Sequence, residues 1–423
     1  MMSQTANEGE VIVLGAGIVG VSVALHLQQR GRTVILVDRR GAGEETSYGN
    51  AGLIERSSVI PYGVPRDLST LLRYGFNRSA DVHFDWRYLP RIAPWLWRFW
   101  RESAPSPLAR AADDMWPLIE RSVIEHESLM SQAGVLPVLR KTGWIEAYRT
   151  EETFQRARNA ATALHRFGLN YDVLDTKALQ QREPHFSNVH AGAIHWLDAA
   201  TVPDPGAVVK AYAKLFVDRG GIFLCGNARD LQQKETGWSI TTESGTAHAP
   251  QIVAALGPWS DMVFRPLGYK IPLLMKRGYH VHFGTETNAV LNHPLVDVDG
   301  GFLIAPMNQG IRLTTGIEFS RRDSDPTPIQ LDRTEPLARE ILPLGHRIET
   351  VPWMGSRPCL PDMRPVIGRG WRHKGLWFAF GHNHHGFTLG PVTGRLLAEM
   401  MTGEKTFTDP TPFALKRFEN GRS

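Results

Sequence analysis

Three glycines near the amino terminus have the spacing of a phosphate-binding turn. In such a turn Gly15 allows the tight backbone bend, Gly17 lets a pyrophosphate approach, and Gly20 lets the next helix pack closely on the preceding strand. The backbone N–H groups of Ile18 and Val19 then lie at the start of that helix, where an anion is favoured. These residues predict a dinucleotide-binding site.

An acidic residue at the expected distance supports the same chemistry. Asp38 follows the glycine turn at roughly the twenty-residue spacing of the acid that hydrogen-bonds the ribose hydroxyls. Arg39 and Arg40 would suit a 2′-phosphate, but the Asp38 carboxylate would repel that group. FAD or NAD is therefore favoured over NADP, and NAD-dependent hydride transfer is one candidate activity.

Two short apolar runs flank the glycine turn and its helix. Residues 11–14 and 33–37 have the pattern of buried strands, and residues 19–29 carry apolar side chains at helical spacing. Parallel pairing of such strands requires a crossover of about this length. The chain is therefore predicted to open with a Rossmann-like, doubly wound α/β domain.

The rest of the chain alternates between this domain and a second one. The second domain alternates strand and helix without a βαβ rhythm, which indicates an α+β domain on a mixed or antiparallel sheet. Residues 1–9 are predicted to be a flexible extension. The first domain is assigned residues 10–80, 203–260 and 345–423, and the second is assigned residues 81–202 and 261–344.

The composition is that of an ordinary globular protein. Of the 423 residues 42% are hydrophobic and 21% are charged, and the net charge is +4. The basic residues are spread along the chain, so no nucleic-acid partner is predicted. Cys225 and Cys359 are too few for a disulfide framework, which favours a reducing, cytoplasmic location.

Four segments resemble one flavoprotein family. Residues 45–52 (Glu-Thr-Ser-Tyr-Gly-Asn-Ala-Gly) are similar to the Thr-Ser-x-x-Asn-Ala-Gly segment of the D-amino-acid oxidase superfamily, in particular of bacterial D-amino-acid dehydrogenases. Residues 252–260, 355–368 and 375–397 resemble the adenine-side turn, the Gly-x-Arg-Pro signature and the carboxy-terminal flavin loop and helix. The resemblance implies FAD as cofactor, in an α/β FAD-binding domain interleaved with a substrate domain.

The resemblance also implies which residues contact FAD. Small and polar side chains would let the pyrophosphate and ribityl chain pass, and amides at the start of the last helix would stabilise negative charge on the flavin ring. Neither cysteine lies where a flavin linkage is expected, so the FAD is predicted to be non-covalent. Besides the amino-terminal residues named above, the predicted contacts are Ser47, Asn50, Ala51, Gly52, Gly257, Gly386, Phe387, Thr388 and Leu389.

Arg357 matches the arginine that binds the substrate carboxylate in the family. A planar guanidinium suits two parallel hydrogen bonds to a carboxylate, and such a fork would orient the Cα–H bond. Tyr279 matches a frequent Gly-Tyr pair and is a predicted substrate-side hydroxyl. Strand alternation puts Tyr279 and Arg277 on one face and Gly278 on the other, and one of these faces should line the pocket.

Histidines cluster just before the last predicted helix. His385, with His382 and His384, belongs to the segment that borders the flavin in the family, and it is predicted to have a flavin-side or pocket role. Metal binding is the alternative. No metal is predicted, because the sequence places no cysteine or carboxylate cluster beside these histidines.

The expected activity is FAD-dependent oxidative deamination of amino acids, in particular D-amino acids, by hydride transfer from Cα to flavin N5. One alternative is an oxidase or dehydrogenase of N-alkyl or cyclic imino acids, of the sarcosine, glycine, proline or hydroxyproline type. Another is a flavin-bearing subunit without turnover. The resemblance favours a quinone over oxygen as electron acceptor, and no motif indicates the oligomeric state.

The tryptophan-rich segment 86–100 has two interpretations. Its apolar and arginine side chains would suit a peripheral contact with the inner face of a membrane, where a quinone is dissolved. Burial of the aromatic side chains in the protein core is the alternative.

Overall fold

The computed structural model describes residues 7–419. Within this range the strands are β1 (Asn7–Glu8), β2 (Val11–Leu14), β3 (Val34–Asp38), β4 (Leu53–Ile54), β5 (Val82–Phe84), β6 (Trp144–Tyr148), β7 (Tyr171–Asp175), β8 (Gly192–Trp196), β9 (Ala200–Thr201), β10 (Ile222–Lys234), β11 (Gly237–Thr242), β12 (Gly245–Ala249), β13 (Gln251–Ala254), β14 (Leu274–Thr285), β15 (Leu295–Asp297), β16 (Phe302–Met307), β17 (Gly310–Thr315), β18 (Ile317–Phe319), β19 (Leu344–Arg347), β20 (Trp353–Cys359), β21 (Val366–Arg369) and β22 (Leu376–Phe380). The helices are α1 (Ile18–Gln28), α2 (Leu68–Gly75), α3 (Leu89–Glu102), α4 (Pro105–Gln132), α5 (Glu151–Ala163), α6 (Thr176–Arg182), α7 (Pro205–Asp218), α8 (Asp261–Phe264), α9 (Ile329–Ile341) and α10 (Gly386–Thr402).

The first sheet has nine strands in the order β1-β12-β11-β10-β3-β2-β13-β22-β21. Its centre, from β10 to β22, is parallel. The strands β2, β3 and β13 are runs of Val, Ile, Leu and Ala with almost every residue buried, as parallel strands covered on both faces must be. This sheet confirms the predicted doubly wound α/β domain.

Helices α1 and α10 pack side by side on one face of this sheet, and glycine permits the close contact. A Cβ atom at Gly390 would lie 2.6 Å from Ile18 Cγ1, and one at Gly394 would lie 2.6 Å from the backbone carbonyl carbon of Ser22. The first residues of both helices, Ile18 and Gly386, line the same cavity. The packing therefore directs two helix amino termini toward one site.

The second sheet is built around the long strand β14, which hydrogen-bonds to β17, β18, β19 and β20. The main strand order is β5-β18-β14-β17-β16-β15-β6-β8-β7. Most neighbours are antiparallel, while β5 with β18 and β15 with β6 are parallel. The sheet is therefore mixed, as predicted for the second domain. Strands β4 and β9 form a separate two-stranded sheet.

Three segments lie elsewhere than the sequence predicts. Strand β20, inside the predicted first-domain segment 345–423, pairs with β14 of the second sheet. Helix α4, inside the predicted second-domain segment 81–202, contributes its buried side chains to the same core as α1 and α10. Residues 7 and 8 pair with β12, whereas the rest of the predicted extension up to residue 6 lies outside the described residues. Periodicity indicates an element and its buried face, but not the partner that covers it.

Helix α3 contains most of the tryptophan-rich segment and has two unlike faces. Ile92, Trp95 and Phe99 are buried in a cluster under the second sheet, whereas Trp97 is 60% exposed. Pro94 lies inside this helix without ending it. No helix among residues 7–419 combines the length and the apolar character needed to cross a membrane.

Candidate active site

A cavity of about 480 Å³ lies between the two sheets and collects most of the predicted cofactor residues. Both helix amino termini, the loop after β3 and strand β20 contribute to its wall. The predicted residues that line the cavity are Gly15, Gly17, Ile18, Val19, Asp38, Arg39, Ser47, Asn50, Ala51, Gly257, Gly386, Phe387 and Arg357.

The glycine turn has the conformation that its sequence predicts. Gly15 has φ +104°, and a Cβ atom there would lie 2.5 Å from the carbonyl oxygen of Ala255. The Ile18 N–H at the helix start donates to Ser47 Oγ at 3.0 Å, which joins the turn to the loop after β3. The turn is therefore a backbone cradle that a larger residue would fill, and it fits a pyrophosphate.

Asp38 lies at the end of β3 beside this cradle. Its Oδ2 accepts a hydrogen bond from the Ala16 N–H at 2.6 Å, and its Oδ1 accepts one from the Arg40 N–H at 3.0 Å. Burial raises the pKa of this carboxyl. Each oxygen keeps a further lone pair for a ribose hydroxyl. Arg39 pairs with Glu45 at 2.6 Å and lies over the Trp259 ring, 4.4 Å from its centre.

The loop 46–52 is held against the second sheet by one arginine. Arg312 on β17 donates to the carbonyl oxygens of Tyr48, at 3.2 Å, and of Asn50. Its Nε donates to His282 Nε2 at 2.9 Å. The Glu349 carboxylate accepts the His282 backbone N–H at 2.8 Å and contacts Nδ1 of the same ring. Because His282 Nε2 accepts the hydrogen bond from Arg312, the imidazole proton of His282 is on Nδ1.

Arg357 reaches the cavity from β20 without an acidic partner. Within residues 7–419 it forms no ion pair, and it donates a long hydrogen bond of 3.5 Å from Nη1 to the Gly316 carbonyl oxygen. A Cβ atom at Gly278, on the neighbouring strand, would overlap Nη1. Burial lowers the pKa of this guanidinium. The fork is thus half-buried and open to an anion from the cavity.

Glu55, Tyr62 and His384 line the same cavity, although the sequence did not identify the first two. Glu55 is 8% exposed and accepts a hydrogen bond from Ser58 Oγ. Tyr62 is 57% exposed because its ring projects into the cavity, and it contacts His384 with ring centres 4.9 Å apart. No local motif surrounds Glu55 or Tyr62, so only the fold brings them to the site.

The predicted site residue His385 is buried behind the cavity wall. Its Nε2 lies 3.8 Å from Glu55 Oε2, and its ring centre lies 3.8 Å from that of His384. Glu55, His384 and His385 bring one ligand-type atom each to within 4.8 Å of one another. The premise that no carboxylate accompanies these histidines is therefore wrong for the folded chain. Burial lowers the pKa of His384 well below its ordinary value.

Tyr279 does not contact the cavity, and the prediction of a substrate-side hydroxyl is wrong in its location. It is 1% exposed, and its hydroxyl donates to Glu318 Oε2 at 2.6 Å and accepts from Arg277 Nη2 at 2.7 Å. Arg277 also pairs with Glu318, Nε to Oε2 at 3.0 Å. The opposite face of β14, with Gly278, lines the cavity, because a glycine leaves room there for Arg357.

Four further predicted residues support the site from behind its wall. Gly20 lies against the Gly15 carbonyl, and Gly52 has φ +76° and lies against Val202. Thr388 Oγ1 accepts the Glu55 N–H at 3.2 Å. Leu389 is buried in the core of the first domain. These residues position the lining, and they do not belong to it.

A phosphate cradle, a ribose-type acid and an open arginine fork around one cavity define a dinucleotide-dependent oxidoreductase. The family described as FAD dependent oxidoreductase (DAO) matches residues 10–400, and the chain belongs to this family, whose cofactor is FAD.

Similar proteins cover nearly the whole chain. The chain is 28% identical to a D-amino-acid oxidase of Bradyrhizobium diazoefficiens, over 96% of this chain and 98% of the relative. It is 27% identical to a D-amino acid dehydrogenase of Methylobacterium nodulans, over 93% and 95%. Among solved structures, glycine oxidase from Geobacillus kaustophilus has a TM-score of 0.76 at 20% identity, over 97% of this chain and 99% of that one. This last likeness establishes the fold.

Proposed function

We propose that this protein oxidatively deaminates amino acids, in particular D-amino acids, and that Arg357 binds the substrate carboxylate. The observation that carries the proposal is the half-buried guanidinium fork of Arg357, which faces the cavity and forms no ion pair within residues 7–419. A carboxylate is the group that completes such a fork with two parallel hydrogen bonds. The names of the similar proteins support the D-configuration.

The chain's own residues then set the geometry of the reaction. When bound, FAD supplies the acceptor for the hydride that leaves the substrate Cα. Arg357 fixes the carboxylate, so the Cα–H bond can take only a narrow range of directions. Glu55 holds a carboxylate on the same cavity wall, where it is placed to take the proton that the substrate ammonium must lose. The imino acid product hydrolyses to a keto acid and ammonia.

The same proposal assigns the cofactor contacts. The cradle at Gly15 and Gly17 would bind the pyrophosphate, and Asp38 would bind the ribose hydroxyls. The amino terminus of α10, at Gly386 and Phe387, would stabilise negative charge on the flavin ring. In this assignment the first sheet with its helices binds FAD, and the second sheet supplies the substrate side through β14 and β20.

We further propose a quinone as electron acceptor and a peripheral membrane contact. An apolar surface is formed by Leu68, Leu72 and Phe76 at the helix α2, which are 71%, 56% and 72% exposed, together with Trp97. Arg66, just before α2, connects this helix to Trp97 on α3, because its guanidinium lies 4.0 Å from the centre of the Trp100 ring and that ring stacks on Trp97. Exposed apolar side chains with a basic border are typical of an interfacial contact with anionic lipid.

Vesicle sedimentation tests this surface. The protein should sediment with anionic vesicles, and the double substitution Leu72→Glu with Trp97→Glu should release it while the rate with a soluble quinone analogue persists. Equal sedimentation of parent and variant would contradict the proposed surface. Peroxide formation in air that matches the quinone rate would identify an oxidase instead.

Substitution of Arg357 tests the main proposal. Arg357→Ala removes two hydrogen bonds to a charged group, each worth roughly 1.5–3 kcal/mol, so kcat/KM for a D-amino acid should fall by two orders of magnitude or more. Arg357→Lys should recover part of the loss, because an ammonium lacks the planar fork. FAD content should stay near the parental value in both variants.

The matched control is Arg369→Ala, which removes an exposed arginine from β21. It should behave as the parent does. An amine that lacks the carboxylate should be a poor substrate of the parent, and its kcat/KM should fall little further in Arg357→Ala. Parental turnover by Arg357→Ala would place the carboxylate site elsewhere. A panel of D-, L- and N-methyl amino acids, followed by anaerobic bleaching of the flavin, distinguishes the deaminase from an imino-acid enzyme.

A further inference from the structure

Lys276 is a buried cation beside Arg357. It is 9% exposed, and it pairs directly with Arg357 across strands β14 and β20. Residues opposite each other in an antiparallel pair point to the same face, with Cβ atoms about 4.5–5.5 Å apart. The face concerned is the one on which Gly278 lines the cavity. Lys276 therefore stands next to the proposed carboxylate site, on the same side of the sheet and directly behind the cavity wall that Gly278 and Arg357 line.

Aromatic rings surround the Lys276 ammonium, and no carboxylate pairs with it within residues 7–419. Its Nζ lies 3.9 Å from the centre of the Phe99 ring, 5.3 Å from that of Trp95 and 5.7 Å from that of Phe319. Ring faces attract a cation more weakly than a carboxylate does when both are shielded from water. Burial and the charge of Arg357 lower the pKa of Lys276.

The nearby acids are engaged elsewhere. Glu318 lies on the opposite face of the sheet, where it pairs with Arg277. Glu55 accepts a hydrogen bond from Ser58 and faces His385. The face of β14 and β20 that borders the cavity thus holds the buried Lys276 and the half-buried Arg357, neither with a paired anion among the described residues. Lysine and arginine are rarely buried unless they are paired.

A substrate with one carboxylate would neutralise one of these two charges. Arg357 already faces the cavity, so the α-carboxylate belongs there, and Lys276 would keep its excess charge. A second anionic group on the substrate would give Lys276 a partner and would leave no buried charge unpaired. We propose that the preferred substrates are amino acids with an acidic side chain, and that Lys276 binds the side-chain carboxylate. This inference rests on the proposed amino-acid oxidation.

The first test compares acidic substrates with their neutral isosteres on the parent holoenzyme. D-Aspartate and D-glutamate differ from D-asparagine and D-glutamine chiefly in charge. We expect kcat/KM to be at least about ten-fold higher for each acid than for its amide, as one charge-assisted contact commonly gives. No preference for the acids over the amides overturns the inference without any variant.

The second test removes the charge. Lys276→Met should lower kcat/KM for D-aspartate at least about ten-fold more than it lowers kcat/KM for D-alanine, and Lys276→Arg should restore part of the preference. Lys405→Met, which removes an exposed lysine after α10, is the matched control and should keep the parental ratio. An unchanged ratio of acidic to neutral substrates in Lys276→Met overturns the inference.

A binding measurement needs no turnover. Succinate should shift the flavin absorbance and raise the melting temperature of the holoprotein at lower concentration than butyrate does, and Lys276→Met should abolish the difference. Should D-alanine be oxidised while this difference is absent, the inference fails and the proposed function stands. Should the succinate preference depend on Lys276 while no amino acid reduces the flavin, the anion site stands and the proposed function fails.

Discussion

Arg312 is expected to control FAD binding without lying on the cavity wall. It joins β17 to the loop 46–52 through the carbonyl oxygens of Tyr48 and Asn50, and it is itself held by His282. The loop supplies Ser47 to the glycine turn. Arg312→Met keeps a long apolar stem and removes all three hydrogen bonds.

The size of the effect follows from these contacts. Each hydrogen bond from a charged donor is worth roughly 1.5–3 kcal/mol, so the two bonds to the loop amount to about 3–6 kcal/mol. Part of this loss lowers the free energy of unfolding. The rest weakens FAD binding, because the loop must then become ordered when FAD binds. If half falls on the cofactor, the Kd for FAD rises about ten-fold to a hundred-fold.

The assay is equilibrium dialysis of apoprotein against FAD, with loss of flavin fluorescence as a second measurement. Arg333→Met is the matched control, because Arg333 also binds two backbone carbonyl oxygens, those of Ser79 and Asn77, away from the flavin loop. It should keep the parental Kd. Parental affinity in Arg312→Met, or an equal loss in Arg333→Met, would refute the coupling of this clamp to the cofactor.

Two further outcomes follow from buried groups. Burial lowers the pKa of His126 to about 4, so only the unfolded chain takes up a proton at this residue as the pH falls below about 6.5. The contribution of neutral His126 to the free energy of unfolding is therefore full above that pH and declines toward pH 4. In urea unfolding, His126→Gln should lose about 2 kcal/mol less of its free energy of unfolding than the parent does between pH 7.5 and 5. Neither Cys225 nor Cys359 lines the cavity, so acid or heat denaturation should release the yellow chromophore, and colour kept by the denatured chain would show a covalent link.

The residues predicted to bind the cofactor come together around one cavity because their signals are local. The glycine turn, its helix and Asp38 lie within one βαβ unit, where spacing along the chain determines spacing in the fold. Gly386 and Phe387 belong to a contiguous motif and are predicted in the same way. Periodicity also gave the two faces of β14. It could not tell which face meets the cavity, because that depends on β20, a strand from a distant part of the chain.

The substrate half depends on such distant pairings. The resemblance predicts a substrate-side role for the Tyr279 hydroxyl, yet in the fold that hydroxyl donates to Glu318, and Gly278 is turned toward Arg357. Glu55 reaches the histidines that precede α10 only because the loop after β4 crosses the amino terminus of that helix, where the Glu55 N–H donates to Thr388. A lone acid in a loop has no sequence signature that separates it from a surface residue.

The tryptophan-rich segment shows why its two interpretations could not be separated in the sequence. They concern opposite faces of one helix. Trp95 and Phe99 turn inward and cover the Lys276 ammonium, while Trp97 turns outward and is 60% exposed. Helical spacing predicts that α3 has two unlike faces. It does not reveal that the inner face covers the charge of Lys276, because Lys276 lies on β14, far along the chain. The same helix therefore closes the proposed anion site on one side and presents the proposed lipid contact on the other.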